Sequence, residues 1–240
     1  MKNSFKHAVL SLASLPVVKP HDVTSRMLID LNQNLDAESA RRVIETFFGN
    51  TPYDALVHAA GFNPRQTFSG KKRLIQHTPS FHSPKEIFFS RLLLRCSAVN
   101  QVSLDLMRFN KGGAIPPHAH VGVASGFYVL QGAVRIQHYH VDEYKNDGVH
   151  AHRTIDRRLD AGMFTTNSDE KDNIHWLESV EDDTVLFRVN KLGIPSRLEN
   201  MLTAGRLYVD PTAVSDTTGM IPFVSMQDAR TLRMAPANLS

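Results

Sequence analysis

The 240-residue sequence predicts a mainly β fold, a sandwich or barrel preceded by helices. From about residue 85 it breaks into short β-rich runs separated by turn residues: EIFFSRLLLR, VSLDLMRF, GFYVLQGAVRIQHYHV, HRTIDRRL and DTVLFRVNKLG. Residues 22–62 read instead with the 3.6-residue period of helices. A hydrophobic content of 42% over this length is enough for one full core.

The helices come first. Asp36 can cap one whose apolar residues Ala40, Val43, Ile44 and Phe47 share a face, with Leu35 and Ala40 at the staple positions and Gly49 expected to end it. A second is expected to start with Thr51 as N-cap and Pro52 in its first turn, and to stop at Gly61. Neither carries obvious chemistry, so they read as a lid or buttress. After the barrel runs, GRLYVDP suggests one more strand, and the last dozen residues look loosely held. The expected division is a helical extension over 1–84 packing on the barrel, a barrel over 85–210 and a C-terminal extension over 211–240.

Composition excludes several function classes. The formal charge of +3 and the sequence pI of about 9.0 are mild. The densest basic spot, Lys71-Lys72-Arg73, lacks interleaved aromatics, so no nucleic-acid partner is expected. No apolar run approaches the roughly 18 residues that span a membrane. Cys96 is the only cysteine, in a strand-like apolar run, and reads as a buried structural residue. No internal disulfide can form, and a cytoplasmic setting fits best. The first eighteen residues imitate a signal peptide, but Lys19-Pro20 follows where a small-x-small site belongs. No P-loop, dinucleotide fingerprint, Ser-His-Asp signature or CxxC occurs.

The chemistry lies in the histidines. Six of the twelve form three His-x-His pairs: His118/His120, His138/His140 and His150/His152. On a strand, residues i and i+2 face the same side, so a pair can aim two imidazoles at one metal. His118/His120 has the strongest case, behind the Gly112-Gly113 turn and the Pro116-Pro117 step, with apolar residues beyond. His138 and His140 share a face with Val134 and Ile136, and either line the same cavity or lie outside it. His150/His152 sits in a polar stretch and reads as a surface loop. A metal needs further ligands, and His175, at the start of the apolar step Ile174-His175-Trp176-Leu177, is the best third candidate. Arg91, Arg95 and Arg108 alternate with apolar residues. One that points inward needs an anion, either a substrate carboxylate or an internal acid such as Asp105. Tyr128 either brings a hydroxyl near the metal or packs in the core.

The spacing resembles the first cupin motif, G-x5-H-x-H-x4-E-x6-G. Gly112, His118, His120 and Gly132 are in register over 21 residues, and Ser125 stands where the Glu is expected. The second motif is degraded: Gly162 fits its start, its Pro and second Gly are missing, and His175 lies two positions late. The resemblance covers roughly residues 85–195. It implies a jelly-roll barrel, a double-stranded β-helix, with a metal in its mouth held by His118, His120 and His175. Without the carboxylate, three neutral imidazoles leave a divalent ion its full charge, which favours an anionic ligand. Such a site resembles the thiol dioxygenase branch, which uses Fe(II) held by three histidines. Within it, cysteine dioxygenase implies Arg91 as the clamp for a substrate carboxylate, and it too has a residue other than a carboxylate at the position of Ser125; beside the resemblance, Ser125, His138 and His140 are candidates for residues that surround the ligands or touch the substrate. The tyrosine of that family would fall near Leu192, where no Tyr is close. Cupin barrels commonly pair, which implies a homodimer.

Two function classes follow. One is a dioxygenase acting on a small anionic substrate, a thiol among the candidates, with O2 as co-substrate. The other is a metal-binding sensor without turnover, for which Ser125 and the degraded second motif speak. A cupin isomerase or lyase using Zn, Mn or Ni is a third reading, and three histidines suit Cu as well.

Overall fold

In a computed structural model of the chain, the described residues are 22–60, 62, 88–95, 101–196, 206–215 and 218–235. Among the described residues, three helices precede the strands, α1 (Asp22–Leu31), α2 (Ala37–Asn50) and α3 (Tyr53–Ala59). Eleven strands follow among the described residues: β1 (Phe88–Arg95), β2 (Gln101–Phe109), β3 (Ala114–His120), β4 (Val123–Gln131), β5 (Ala133–Tyr144), β6 (Gly148–Asp160), β7 (Phe164–Ser168), β8 (Ile174–Ser179), β9 (Thr184–Leu192), β10 (Arg206–Tyr208) and β11 (Met220–Pro222). A short helix, α4 (Met226–Ala229), comes last. None of the described helices is long and apolar enough to cross a membrane.

The strands form two antiparallel sheets, β1-β2-β9-β4-β7 and β10-β3-β8-β5-β6-β11. This is the mainly β, jelly-roll architecture expected of the sequence. Strand alternation divides the apolar residues into layers. Met107, Phe109, Phe127, Val129 and Leu186 of the first sheet meet Ile115, Val134, Ile136, Leu159 and Leu177 of the second in the barrel interior. The outer face of the first sheet carries Leu104, Ala124, Tyr128, Leu130 and Phe187, which pack against Ile44, Phe47, Phe48 and Leu56 of the helices. A third cluster, including Ala119, Ile174, Val209 and Ile221, covers the outside of the second sheet. β11 lies beyond residue 210 yet pairs with β6, so the boundary expected there falls between two strands of one sheet.

The helices pack against the outer face of the first sheet, with two corrections to their expected ends. Asp36 accepts from Ser39 N at 2.6 Å, as its N-cap position requires. Gly49 does not end α2, which runs on to Asn50. Thr51 closes α2 by donating its N–H to Phe47 O, so Pro52 and not Thr51 stands before α3. Arg41 ties α2 to the barrel: it pairs with Glu38 and Glu45 and donates to Thr166 Oγ1 at 2.9 Å. β4 lets the helix approach because Gly126 has no side chain; a Cβ there would lie 2.5 Å from Ile44 Cγ2.

Candidate metal centre

Two strands, β3 and β8, bring the three imidazoles together. On β3 the Pro116-Pro117 pair cannot donate to a ladder, and the β3–β8 register shifts between Ile115 and His118. The ladder then resumes with His118 opposite His175. His120 follows two residues later on the same face. One ligand atom from each of His118, His120 and His175 lies within 4.8 Å of the others. His118 and His175 are about 1% exposed and His120 9%.

The contacts around the rings set the tautomers. His118 Nδ1 lies 2.7 Å from the Pro116 carbonyl, which can only accept, so that nitrogen carries the proton. Its Nε2 is then a lone pair, 3.0 Å from His120 Nε2. His175 Nδ1 donates to the Asn173 carbonyl at 3.2 Å. The Asn167 side-chain amide lies 3.2 Å from the same nitrogen. Turned so that its carbonyl faces the ring, Asn167 accepts that proton too, and its oxygen gains a partner it otherwise lacks. Asn173 also holds the backbone of His120: its side chain accepts from His120 N and donates to His120 O, both at 2.9 Å. Outer contacts that orient ligating imidazoles in this way are what a metal site requires. Two Nε2 lone pairs facing each other at 3.0 Å repel unless a proton or a cation lies between them. The donor set fits a divalent transition metal.

Burial keeps the rings neutral, hence competent as ligands. Desolvation pushes the His118 pKa well below its usual range, with His175, His120 and Arg206 adding to the shift. Desolvation, with His138 and nearby arginines, lowers His175 to about 3.

The facing sheet supplies a polar row. Ser125 stands opposite Asn167 on β7 and Asn190 on β9, and Asn190 stands opposite Ser103 on β2. Ser125 Oγ donates to Asn190 Oδ1 at 2.6 Å, and Asn190 Nδ2 donates to Ser103 Oγ at 3.0 Å. One step deeper, Arg188 pairs with buried Asp105 at 2.6 Å. Phe127 lies beside Arg188 in register, and its ring is 5.6 Å from that of His175. Position 125 thus faces the barrel interior, as the cupin spacing implied, and its hydroxyl belongs to this asparagine–serine chain.

The other candidates fall elsewhere. Tyr128 is not at the site. Ser125 and Phe127 face inward on β4, so alternation turns Tyr128 to the helix side, where its ring lies 5.4 Å from Phe48. Arg91 is opposite Asp105 in the β1–β2 register, and its side chain is outside the described residues, as is Cys96. Asp105, the internal acid weighed for an inward-pointing arginine, pairs with Arg188. His138 is buried opposite His175. His140 stays outside the three-histidine group, with its ring 5.6 Å from that of His152. His150 and His152 lie on β6 and not in a loop; His152 is exposed and pairs with Asp142 at 2.9 Å. Sequence reasoning missed Asn167, Asn173, Asn190 and Arg188. The only hint was that Asn173 and His175, and Arg188 and Asn190, are spaced i, i+2 along strands.

Neither a protein-family model nor a curated protein matches the chain. Solved structures resemble it in part. KdgF from Halomonas sp. is 18% identical over 48% of this chain and 84% of its own, with a TM-score of 0.30. An oxalate oxidase is 16% identical over 56% and 64%, with a TM-score of 0.36. Oxalate decarboxylase from Bacillus subtilis is 18% identical over 52% and 28%, with a TM-score of 0.36. A cupin superfamily protein from Desulfitobacterium hafniense is also among them, at 16% identity over 45% and 77% and a TM-score of 0.28. The chain's own three-histidine group could hold a metal.

Proposed function

We propose that this chain is a cupin dioxygenase in which His118, His120 and His175 hold Fe(II), and that it oxidises a small anionic substrate, such as a thiolate, with O2. The observation that carries the reading is the convergence of three imidazoles, two of which, the buried His118 and His175, have Nδ1 tied to a backbone carbonyl. No carboxylate among the described residues joins that group. A bound divalent ion therefore keeps its charge and attracts an anion. Iron, when bound, supplies Lewis acidity and electron exchange with O2. The protein's part is to orient the three nitrogens and to exclude water with Phe127, Val129 and Ile136. Arg206 and Arg188 act electrostatically on the same histidines, which also suits an anion.

A second reading, a metal-binding sensor without turnover or a Zn, Mn or Ni isomerase or lyase, has one observation in its favour. The residue at the Glu position, Ser125, is committed to Asn190. Oxygen uptake by the Fe(II)-reconstituted protein decides between the two. The panel is cysteine, cysteamine, 3-mercaptopropionate and a peptide with N-terminal Cys, with a catechol as contrast. Uptake with one thiol is the expected result. Uptake with the catechol alone would keep the dioxygenase and discard the thiol, and a metal-loaded protein that consumes no oxygen would favour the second reading.

A further inference from the structure

Among the described residues, His138 is the one buried imidazole near the centre that the metal reading does not use. It is fully buried on β5, and neither of its ring nitrogens has a hydrogen-bond partner among the described residues. The ladder fixes where it points. His138 is opposite His175, which is opposite His118, so one row of imidazoles runs across β5, β8 and β3. Val134 and Ile136, which share its face, lie in the barrel interior. An orphaned donor and acceptor in a dry interior cost free energy unless something fills them. His138 is not part of the convergent group, and its ring stands 6.4 Å from that of His175, whereas the His118 and His175 rings are 4.3 Å apart. It therefore sits one step further out than a ligand.

We infer that His138 is a binding residue for the small molecule held at the centre, donating its ring N–H to an anionic oxygen or sulfur atom on the metal's open side. This rests on the three-histidine metal reading. It assigns the site a fourth imidazole that grips the ligand and leaves the metal alone. A hydrogen bond from a rigid, water-excluded donor to an anion should be felt as about a tenfold change in affinity.

The test uses the full chain loaded with Co(II), with azide as the probe anion and the visible Co(II) spectrum as readout. The variants are His138→Phe, which removes the donor, and His138→Gln, which keeps one; His138→Leu stands in should the Phe variant not fold. Co(II) stoichiometry and spectrum are expected to be unchanged in all variants. Azide should bind about tenfold more weakly to the Phe or Leu variant, and within about threefold of wild type to the Gln variant. An altered Co(II) spectrum or weakened Co(II) binding in the Phe variant would make His138 a ligand and overturn the inference. Unchanged azide affinity would overturn it as well. Wild-type protein that binds no Co(II) would sink the metal reading itself, a result obtained before any His138 variant is made.

Discussion

At the scale of single residues, function depends on which nitrogen of each ring carries the proton. Pro116 and Asn173 decide this with backbone carbonyls, and Asn167 reinforces it at His175. Asn167→Ala is therefore expected to weaken metal binding about tenfold while the fold stays intact, read by competition with a chromogenic chelator. Burial adds a pH dependence. His138 and His175 have pKa values of about 3 in the folded chain, against 6.5 when free. The unfolded chain thus takes up protons that the folded chain refuses. The stability these rings contribute is complete above about pH 6.5 and is lost as pH falls toward 3, at on the order of 1 kcal/mol per pH unit for each ring. Urea midpoints of metal-free protein should drop steadily from pH 7 to pH 4, and a flat profile would contradict the buried neutral rings. The three-histidine group was legible because His-x-His on a strand puts both rings on one face. Its supports were not: an asparagine in TTNS or DNIH looks like turn chemistry until the strands are paired.

At the scale of elements, the side of the sheet on which a residue lies decides its role. Tyr128 follows the metal strand closely, yet it faces the helices, because a one-residue step on a strand changes the face. Asp36 could be read as a cap from its spacing. Thr51 could not be assigned, since α2 and α3 are separated only by Thr51 and Pro52, and either helix could claim it. β7 and β11 escaped notice because TTNS is polar and MIP is three residues long. The helix–sheet contact makes its own prediction. Gly126→Val forces a side chain against Ile44 and Phe48. It should cost about 1–3 kcal/mol in thermal or urea unfolding. Metal affinity of the folded variant should be unchanged, because Gly126 faces away from the histidines. A loss of metal binding at full stability would contradict this separation of faces.

At the scale of the whole molecule, two antiparallel sheets enclose an apolar floor with the polar centre above it. The β-run spacing made a barrel or sandwich legible, and the cupin-like spacing chose between them. The sheet order, and hence the row Asn167, Ser125, Asn190 and Ser103 that faces the histidines, depends on pairings far apart in sequence. An ion held by His118, His120 and His175 would lock β3 to β8, so metal should stabilise the chain as a whole. At a free concentration a hundred times the dissociation constant, the gain is about 2.7 kcal/mol, visible as a rise in melting temperature. The central claim is the three-histidine centre, and the measurement that tests it most directly is the metal content of purified, reconstituted protein. One equivalent per chain is predicted for wild type and for His152→Ala, and none for His118→Ala or His175→Ala. A His175→Ala protein that keeps its full equivalent of metal would contradict the account.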